Sequence, residues 1–190
     1  MIEKKIVYFD KPGKENTAAC LDIVKKAIEE YGYKHVVVAS TGGDSGLLFS
    51  EALKDFGVNV VVVTHSYGFK EPNTTEMPDD IRQRITSLGA RVITSTMPTH
   101  SIETALVAKL GGMSTTGIIA QSLRRFGEGI KVACEITMMA VDSGAVPESE
   151  EVISVAGTAR GSDAVAVIRS SASKRFLDLK VLEILAKPRL

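Results

Sequence analysis

The sequence lacks tryptophan, and aromatic residues make up only 5% of its 190 residues. Proteins that bind single-stranded nucleic acid stack bases on aromatic side chains, so this scarcity argues against that class. Positive charge is not in excess either, because 23 Lys and Arg residues balance 23 Asp and Glu residues. No basic block marks an electrostatic nucleic-acid surface. We therefore expect no nucleic-acid partner.

Long apolar runs and grouped cysteines are also missing. No stretch of about 18 apolar residues is present, so we expect neither a membrane span nor a membrane partner. The first residues, MIEKK, do not begin a signal peptide. Cys20 and Cys134 lie far apart, without the spacing of metal ligands. They predict two buried free thiols, a cytoplasmic location and no bound metal.

Hydrophobic residues form 44% of the chain. Their spacing is typical of strands in some segments and of helices in others. Short, almost continuous apolar runs occupy residues 35–39, 58–64, 91–95, 151–156 and 164–169. Such runs are typical of strands that are covered on both faces. Helical periodicity marks residues 15–31, 45–56, 78–88, 101–110, 116–126 and 128–142. This order predicts one α/β domain over residues 1–190, with a three-layer, mostly parallel sheet and helices on both faces. The segment 163–190 shows no clear helix, so we expect an antiparallel edge there.

A glycine loop joins the first buried strand to a helix. Glycines allow close backbone approach, and free amides at a helix start favour an anion. Its candidate ligand-binding residues are Ser40, Thr41, Gly42, Gly43, Asp44 and Ser45. The alternative is an ordinary turn capped by Asp44 or Ser45. The Asp44 carboxylate either occupies the amides that a phosphate needs or accepts hydrogen bonds from ligand hydroxyl and ring N–H groups.

A second glycine loop separates the last two apolar strands. Its two glycines, two hydroxyls and one arginine suit a phosphate, since guanidinium binds oxyanions in a bidentate manner. Its candidates are Gly157, Thr158, Ala159, Arg160, Gly161 and Ser162. A flexible connection with a solvated arginine is the alternative. If the strands that lead into the two glycine loops are neighbours in the sheet, both loops meet at one sheet edge and present their amides to a shared oxyanion.

Three further segments follow strands or interrupt helices. His65 comes directly after the second buried strand and is a candidate ligand contact, although a structural histidine is the alternative. Residues 95–101 follow the third strand and could flank the same crevice. Residues 111–116 read as a helix break with a cap, or as a mobile lid with further anion donors.

Several stretches resemble the C-terminal α/β domain of pyruvate kinase. They are the strand and phosphate loop at 36–45, the next strand at 58–64, the segment 152–157, the pair Gly161-Ser162, and Arg169. The resemblance implies a stand-alone prokaryotic relative of a domain that in pyruvate kinases binds a sugar phosphate effector through these loops. The matched loop positions are Ser40, Thr41, Gly43, Ser45, Gly157, Gly161 and Ser162. The catalytic barrel and its metal-binding carboxylates have no counterpart, so we do not expect a pyruvate kinase.

The departures from that family change the expected ligand. Gly42 stands where that family has a hydroxyl residue, and Asp44 stands where it has a basic or neutral one. Both changes argue against a doubly phosphorylated sugar and favour a ligand with one phosphate, a hydroxylated chain and a ring. The resemblance therefore implies a nucleotide-like ligand such as flavin mononucleotide (FMN), and so a flavoprotein. We expect Gly43→Asp to abolish ligand binding while leaving the domain folded.

Two other functions remain open from the sequence. One is an enzyme acting on a phosphorylated metabolite, or a flavoenzyme, with His65, Asp44 or Arg160 as its acid–base group. No HExxH, GxSxG, CxxC or paired-carboxylate pattern supports a particular reaction. The other is a homo-oligomeric regulatory subunit, with the apolar helix 128–142 at the subunit interface.

Overall fold

The computed structural model describes residues 1 and 3–189. Ile2 and Leu190, which the predicted domain includes, lie outside the described residues. The strands are β1 Val7–Phe9, β2 His35–Ala39, β3 Asn59–Val63, β4 Arg91–Ile93, β5 Glu151–Ala156, β6 Ala164–Arg169 and β7 Lys180–Pro188. The α-helices are α1 Thr17–Tyr31, α2 Asp44–Leu53, α3 Asp79–Ser87, α4 Ile102–Leu110, α5 Thr115–Arg124 and α6 Glu128–Asp142. Short 3₁₀ helices span Lys14–Asn16 and Ser173–Asp178.

The strands form one sheet in the order β1-β7-β6-β5-β2-β3-β4. Strands β5, β2, β3 and β4 are parallel, whereas β6 is antiparallel to both β5 and β7. This confirms the predicted α/β fold and the antiparallel part near the C-terminus. The sequence did not indicate β1, which pairs in parallel with β7 at the outer edge. Its three residues are largely exposed, so they carry little hydrophobic signal.

Helices cover both faces of the sheet. On one face α1, α2 and α3 pack over a cluster that includes Val36 and Val38, and on the other α6 packs over a cluster that includes Val37. Successive strand residues point to opposite faces, which is why neighbouring valines of β2 enter different clusters. The continuous apolar strands thus predicted a sheet buried on both faces.

Helix α6 lies inside the protein. Twelve of its 15 residues are buried, so the expectation that it forms a subunit interface is wrong. Its apolar side chains fill the second core cluster instead. Lys131 and Glu135, one helical turn apart, are buried with it and form an ion pair at 2.6 Å.

The Glu135 carboxylate also reaches the loop after β4. It accepts hydrogen bonds from the backbone N–H of Thr99, at 3.0 Å, and from the Thr99 hydroxyl. Burial raises the pKa of Glu135, but the Lys131 charge and the hydrogen bonds from Lys131 and Thr99 outweigh burial and hold it below its ordinary value. The ion pair therefore anchors the loop after β4 to helix α6.

The two cysteines lie in different core clusters, Cys20 in α1 and Cys134 in α6. Both are free and buried, as predicted. Burial is the main cause that raises the pKa of each thiol to about 12. Separately, no helix in residues 1 and 3–189 combines the length and apolar character needed to cross a membrane.

Candidate functional site

The order of connections places a topological switch point, which we call the crevice, between β2 and β5. From β2 the chain crosses by α2 to β3 on one side, whereas from β5 it turns to β6 on the other. Ligands of open α/β sheets bind outside the carboxyl ends of strands at such a switch point. The loops 40–45 and 157–163 follow these two strands, which run in parallel about 4.8 Å apart. The structure therefore brings both predicted loops to one edge.

The loop 40–45 leaves a row of free amides. The Ser40 hydroxyl is buried and accepts the Gly46 N–H at 2.9 Å, so it closes the turn. Neither Asp44 nor Ser45 caps α2 with its side chain. Among residues 1 and 3–189, no acceptor is found for the backbone amides from Thr41 to Ser45. Unpaired amides at a helix start, together with the helix dipole, make a site for an anion.

The individual side chains of this loop have different surroundings. Thr41 is half-buried, Ser45 is buried, and Gly42 and Asp44 are exposed. Gly43 is buried with φ 101°, a conformation that favours glycine. A Cβ added at Gly42 would meet no heavy atom within 4 Å. Gly42 and Asp44 are therefore the positions open to a bound molecule.

The loop 157–163 is largely occupied by its own contacts. Asp163 accepts the N–H of Thr158 at 3.1 Å and that of Gly13 at 2.9 Å. The N–H of Ser162 donates to the Thr17 hydroxyl at 2.9 Å. A side chain at Gly161 would strike residues Lys14 and Thr17 at the start of α1. The amides of Thr158 and Ser162 are therefore already bound within the protein, unlike those of the loop 40–45.

What the second loop can offer a ligand is mainly Arg160. Its side chain is exposed, as is Ala159, which adopts φ 64°. Thr158 is half-buried beside them. Ser162 is fully buried, and its Oγ has no hydrogen-bond partner in the described chain. Arg160 is therefore the side chain of this loop that could pair with an anion.

His65 adjoins the loop 40–45. Its Nε2 lies 3.3 Å from the Thr41 hydroxyl oxygen, and its Nδ1 lies 2.7 Å from Oε2 of Glu76. The ring centroid of Phe69 lies 4.2 Å from that of His65. The sequence analysis missed Glu76 and Phe69, because the turn in which the Gly68 N–H donates to the Thr74 carbonyl brings them back to His65. No motif spacing marks that turn.

The two remaining candidate segments, 95–101 and 111–116, make hydrogen bonds to other parts of the protein. In the segment 95–101, Thr99 is bound to Glu135, while the buried Ser95 Oγ has no partner among the described residues. In the segment 111–116, Ser114 caps α5 by accepting the Gly117 N–H at 3.0 Å. The Thr116 N–H donates to Glu103 at 2.8 Å. The segment therefore contains a helix break and a cap, and its Thr116 donors are bound to Glu103.

Solved structures similar to this chain resemble it only distantly. A hydrogen sulfide-producing enzyme of Fusobacterium nucleatum is 19% identical over 60% of this chain and 29% of its own, with a TM-score of 0.32. An NH3-dependent NAD synthetase of Campylobacter jejuni is 16% identical over 59% of this chain and 47% of its own, with a TM-score of 0.34. A pyridoxal 5'-phosphate-dependent aspartate racemase is 22% identical over 75% of this chain and 47% of its own, also at 0.34. This chain thus spans less than half the length of each.

The family comparison covers most of the chain. The family model described as pyruvate kinase, alpha/beta domain, matches residues 18–168. That range runs from the start of α1 to the end of β6 and contains both loops of the crevice. The chain belongs to the pyruvate kinase alpha/beta domain family.

Proposed function

We propose that this domain binds a phosphate-bearing small molecule, a mononucleotide such as FMN, in the crevice between β2 and β5. The observation that carries the proposal is the row of amides from Thr41 to Ser45 without acceptors at the start of α2. Five N–H groups that have no acceptor within the described residues lie at the positive end of a helix, and such groups favour an oxyanion. Arg160 stands on the neighbouring loop as a cation for the same phosphate.

The polar groups around these amides favour one phosphate with a hydroxylated chain. Arg160 is the one cationic side chain within the two loops, which matches a single phosphate better than two. Asp44 is exposed and makes no cap hydrogen bond. Its carboxylate can accept hydrogen bonds from ligand hydroxyls, and the ribityl chain of FMN provides such hydroxyls. We also propose a cytoplasmic location, with which two free thiols agree.

Thermal unfolding with FMN, riboflavin or inorganic phosphate tests this proposal. A ligand at 100 times its dissociation constant adds about 2.7 kcal/mol to stability. FMN should raise the unfolding temperature, and riboflavin, which lacks the phosphate, should raise it much less. Gly42→Asp places a negative charge beside the amides at an exposed position with free space. We expect it to weaken FMN binding at least tenfold.

Gly42→Ala is the matched control, since it adds a side chain at the same position without charge. We expect FMN affinity in this variant to stay within about threefold of the original, because the effect of Asp is electrostatic. Equal FMN binding by the original protein and Gly42→Asp would refute the site. Equal stabilisation by FMN and riboflavin would refute phosphate recognition.

We also propose self-association through the surface formed by α4 and α5. None of the residues of α4 is buried, although the helix is mostly apolar. Ile102 is 75%, Leu110 76% and Met113 82% exposed, and Met113 also lines a groove of about 560 Å³ between the two helices. An apolar patch of this kind marks an interaction surface. The chain carries no formal net charge, so two copies meet no long-range repulsion, and we take a second copy as the occupant.

A further inference from the structure

Three side chains at the crevice form a continuous chain of hydroxyl, imidazole and carboxylate. The Thr41 hydroxyl oxygen lies 3.3 Å from Nε2 of His65, and Nδ1 of His65 lies 2.7 Å from Glu76. They come from the loop after β2 and from both ends of the segment between β3 and α3. A hydroxyl, a base and a group that orients the base, in this order, is the arrangement that activates a nucleophile.

The partners of His65 set the direction of its hydrogen bonds. An ionised carboxylate can only accept, so the ring must carry its proton on Nδ1 and donate it to Glu76. In the neutral ring Nε2 is then the acceptor, and the Thr41 hydroxyl donates to it. This is the tautomer that a general base needs in order to take the hydroxyl proton. The Phe69 ring beside His65 fixes the imidazole from one side.

The position of Thr41 supplies the other requirement of a nucleophile. Thr41 sits between a strand and a helix, and the amides that follow it, from Gly42 to Ser45, have no acceptor in residues 1 and 3–189. A nucleophile at a strand-to-helix turn uses the N–H of the next residue to stabilise the developing negative charge. The same amides that hold a phosphate therefore lie beside the hydroxyl that could attack it.

The side chains are accessible as well as ordered. The side chains of His65 and Glu76 are 35% and 26% exposed, and Thr41 is half-buried. A ligand can therefore reach the hydroxyl, while the hydrogen bond to Glu76 keeps His65 oriented.

We infer that the domain hydrolyses a phosphate monoester, with Thr41 as nucleophile, His65 as acid–base catalyst and Glu76 as the residue that positions His65. This inference rests on the proposed phosphate site. Thr41 Oγ1 attacks phosphorus while the bond from phosphorus to the ester oxygen breaks. His65 takes the hydroxyl proton and keeps it, while the alkoxide departs in line on the side opposite Thr41, takes a proton from water and leaves as an alcohol.

The second half of the reaction regenerates the protein. The hydroxide left by that water attacks the phosphothreonine in line, from the side opposite Thr41. The bond between phosphorus and Thr41 Oγ1 breaks, inorganic phosphate leaves, and His65 gives the proton that it holds to the threonine oxygen. The sum is ester plus water giving alcohol plus phosphate, and no oxidant or reductant is consumed.

The experiment measures phosphate release from FMN and from p-nitrophenyl phosphate by the full chain and its variants. Thr41→Val removes the hydroxyl at nearly constant shape, and Thr41→Ser keeps it. His65→Gln removes the base, and Glu76→Gln removes the orienting charge. His100→Gln is the matched control, since His100 touches Phe69 but not Thr41. Thermal unfolding of each variant shows that it is folded, and FMN-induced stabilisation measures binding separately.

We expect Thr41→Val and His65→Gln to lose at least a hundredfold in kcat, the scale of nucleophilic and general-base contributions. Thr41→Ser should stay within about tenfold and His100→Gln unchanged. Glu76→Gln should lower kcat about tenfold with KM for FMN unaltered, which a merely structural role would not produce. Acid quenching during turnover, followed by peptide mass spectrometry, should place a phosphate on Thr41.

The possible failures separate the two proposals. FMN that stabilises the protein without phosphate release from either ester would overturn the catalytic inference and leave the binding site standing. Phosphate release that survives Thr41→Val would overturn Thr41 as nucleophile. The absence of both binding and release would overturn the catalytic inference together with the phosphate site.

Discussion

Gly43 and Ile81 pack so closely that a Cβ added to Gly43 would overlap the Cγ2 methyl of Ile81. Gly43 directly precedes α2, and Ile81 lies in the first turn of α3, so this contact joins two neighbouring helices. Gly43 also has φ 101°. The glycine is therefore required by the packing of the protein itself. The expectation that Gly43→Asp removes a ligand from an otherwise unchanged fold is not supported by this contact.

The first prediction follows from this contact. Gly43→Ala should lower the free energy of unfolding by about 2–3 kcal/mol, because it combines an unfavourable φ with overpacking against Ile81. Gly42→Ala, one residue earlier, should change it by less than about 1 kcal/mol, since the added methyl enters free space. Urea unfolding of both variants measures the difference. A Gly43→Ala variant as stable as Gly42→Ala would show that Ile81 moves away without strain.

A second prediction concerns Asp163, which joins the loop 157–163 to the start of the chain. Asp163→Ala leaves the Gly13 and Thr158 amides without their acceptor. It should lower the free energy of unfolding by about 2–3 kcal/mol. The other carboxylate oxygen has no hydrogen-bond partner among the described residues, but it lies beside Gly129 in the first turn of α6. The positive end of that helix favours a carboxylate there.

Ser162→Ala is the neighbouring control for this measurement. Ser162 is as deeply buried as Asp163, yet its hydroxyl has no partner in the part of the chain that the structure describes. Removing an unpaired buried hydroxyl should leave stability unchanged or raise it by up to about 1 kcal/mol. Guanidinium unfolding of the two variants compares them. Equal losses in both would mean that the loop responds to volume rather than to the hydrogen bonds of Asp163.

Much of the fold was predictable because its signals are local. The runs of valine in β2 and β3 indicate strands buried on both faces, and the helices between them impose a parallel sheet. Glycine loops at strand ends marked the segments 40–45 and 157–163. By contrast, β1 is short and exposed, and its partner β7 is more than 170 residues away along the chain. Nothing local identifies such a pairing.

The chemistry of the site was less predictable, because it depends on contacts between distant segments. Sequence order put His65 after a strand but gave no sign that Glu76 would return to its ring. The residue pattern of α6 suggested an exposed apolar face, although the sheet and α5 cover the helix. Nothing in the residue pattern marked Lys131 and Glu135, one turn apart, as buried, yet they form a buried ion pair. Burial, unlike periodicity, is set by the whole fold.

A third prediction concerns this buried pair. Glu135→Gln should lower the free energy of unfolding by about 3–5 kcal/mol, because it leaves the Lys131 charge buried without its partner. Combining it with Lys131→Met removes both charges, while the Gln oxygen still accepts from Thr99. The double variant should therefore be more stable than Glu135→Gln alone. Thermal unfolding at neutral pH gives the comparison.

The same pair should produce a pH dependence. The pKa of Glu135 in the folded protein lies below its ordinary value of 4.5. A carboxyl whose pKa is lowered by folding binds protons more readily when unfolded, so its stabilising contribution is present above pH 4.5. That contribution is lost as pH falls below 4.5 and through the folded pKa. The original protein should therefore lose more stability across this acidic range than the double variant, and parallel curves would contradict the assignment.

The last prediction concerns the surface formed by α4 and α5, where the apolar residues have no partner to cover them within the described chain. Leu110 is 76% exposed at the end of α4. If a second copy covers this surface, Leu110→Glu buries a charge in the interface and should shift the protein to monomers. Leu177 is 83% exposed in the 3₁₀ helix 173–178, away from α4 and α5. Leu177→Glu should therefore leave the assembly unchanged, because the same charge is added where nothing binds. Sedimentation velocity distinguishes the variants: a monomeric original protein, or equal dissociation by both, would refute α4 and α5 as the interface.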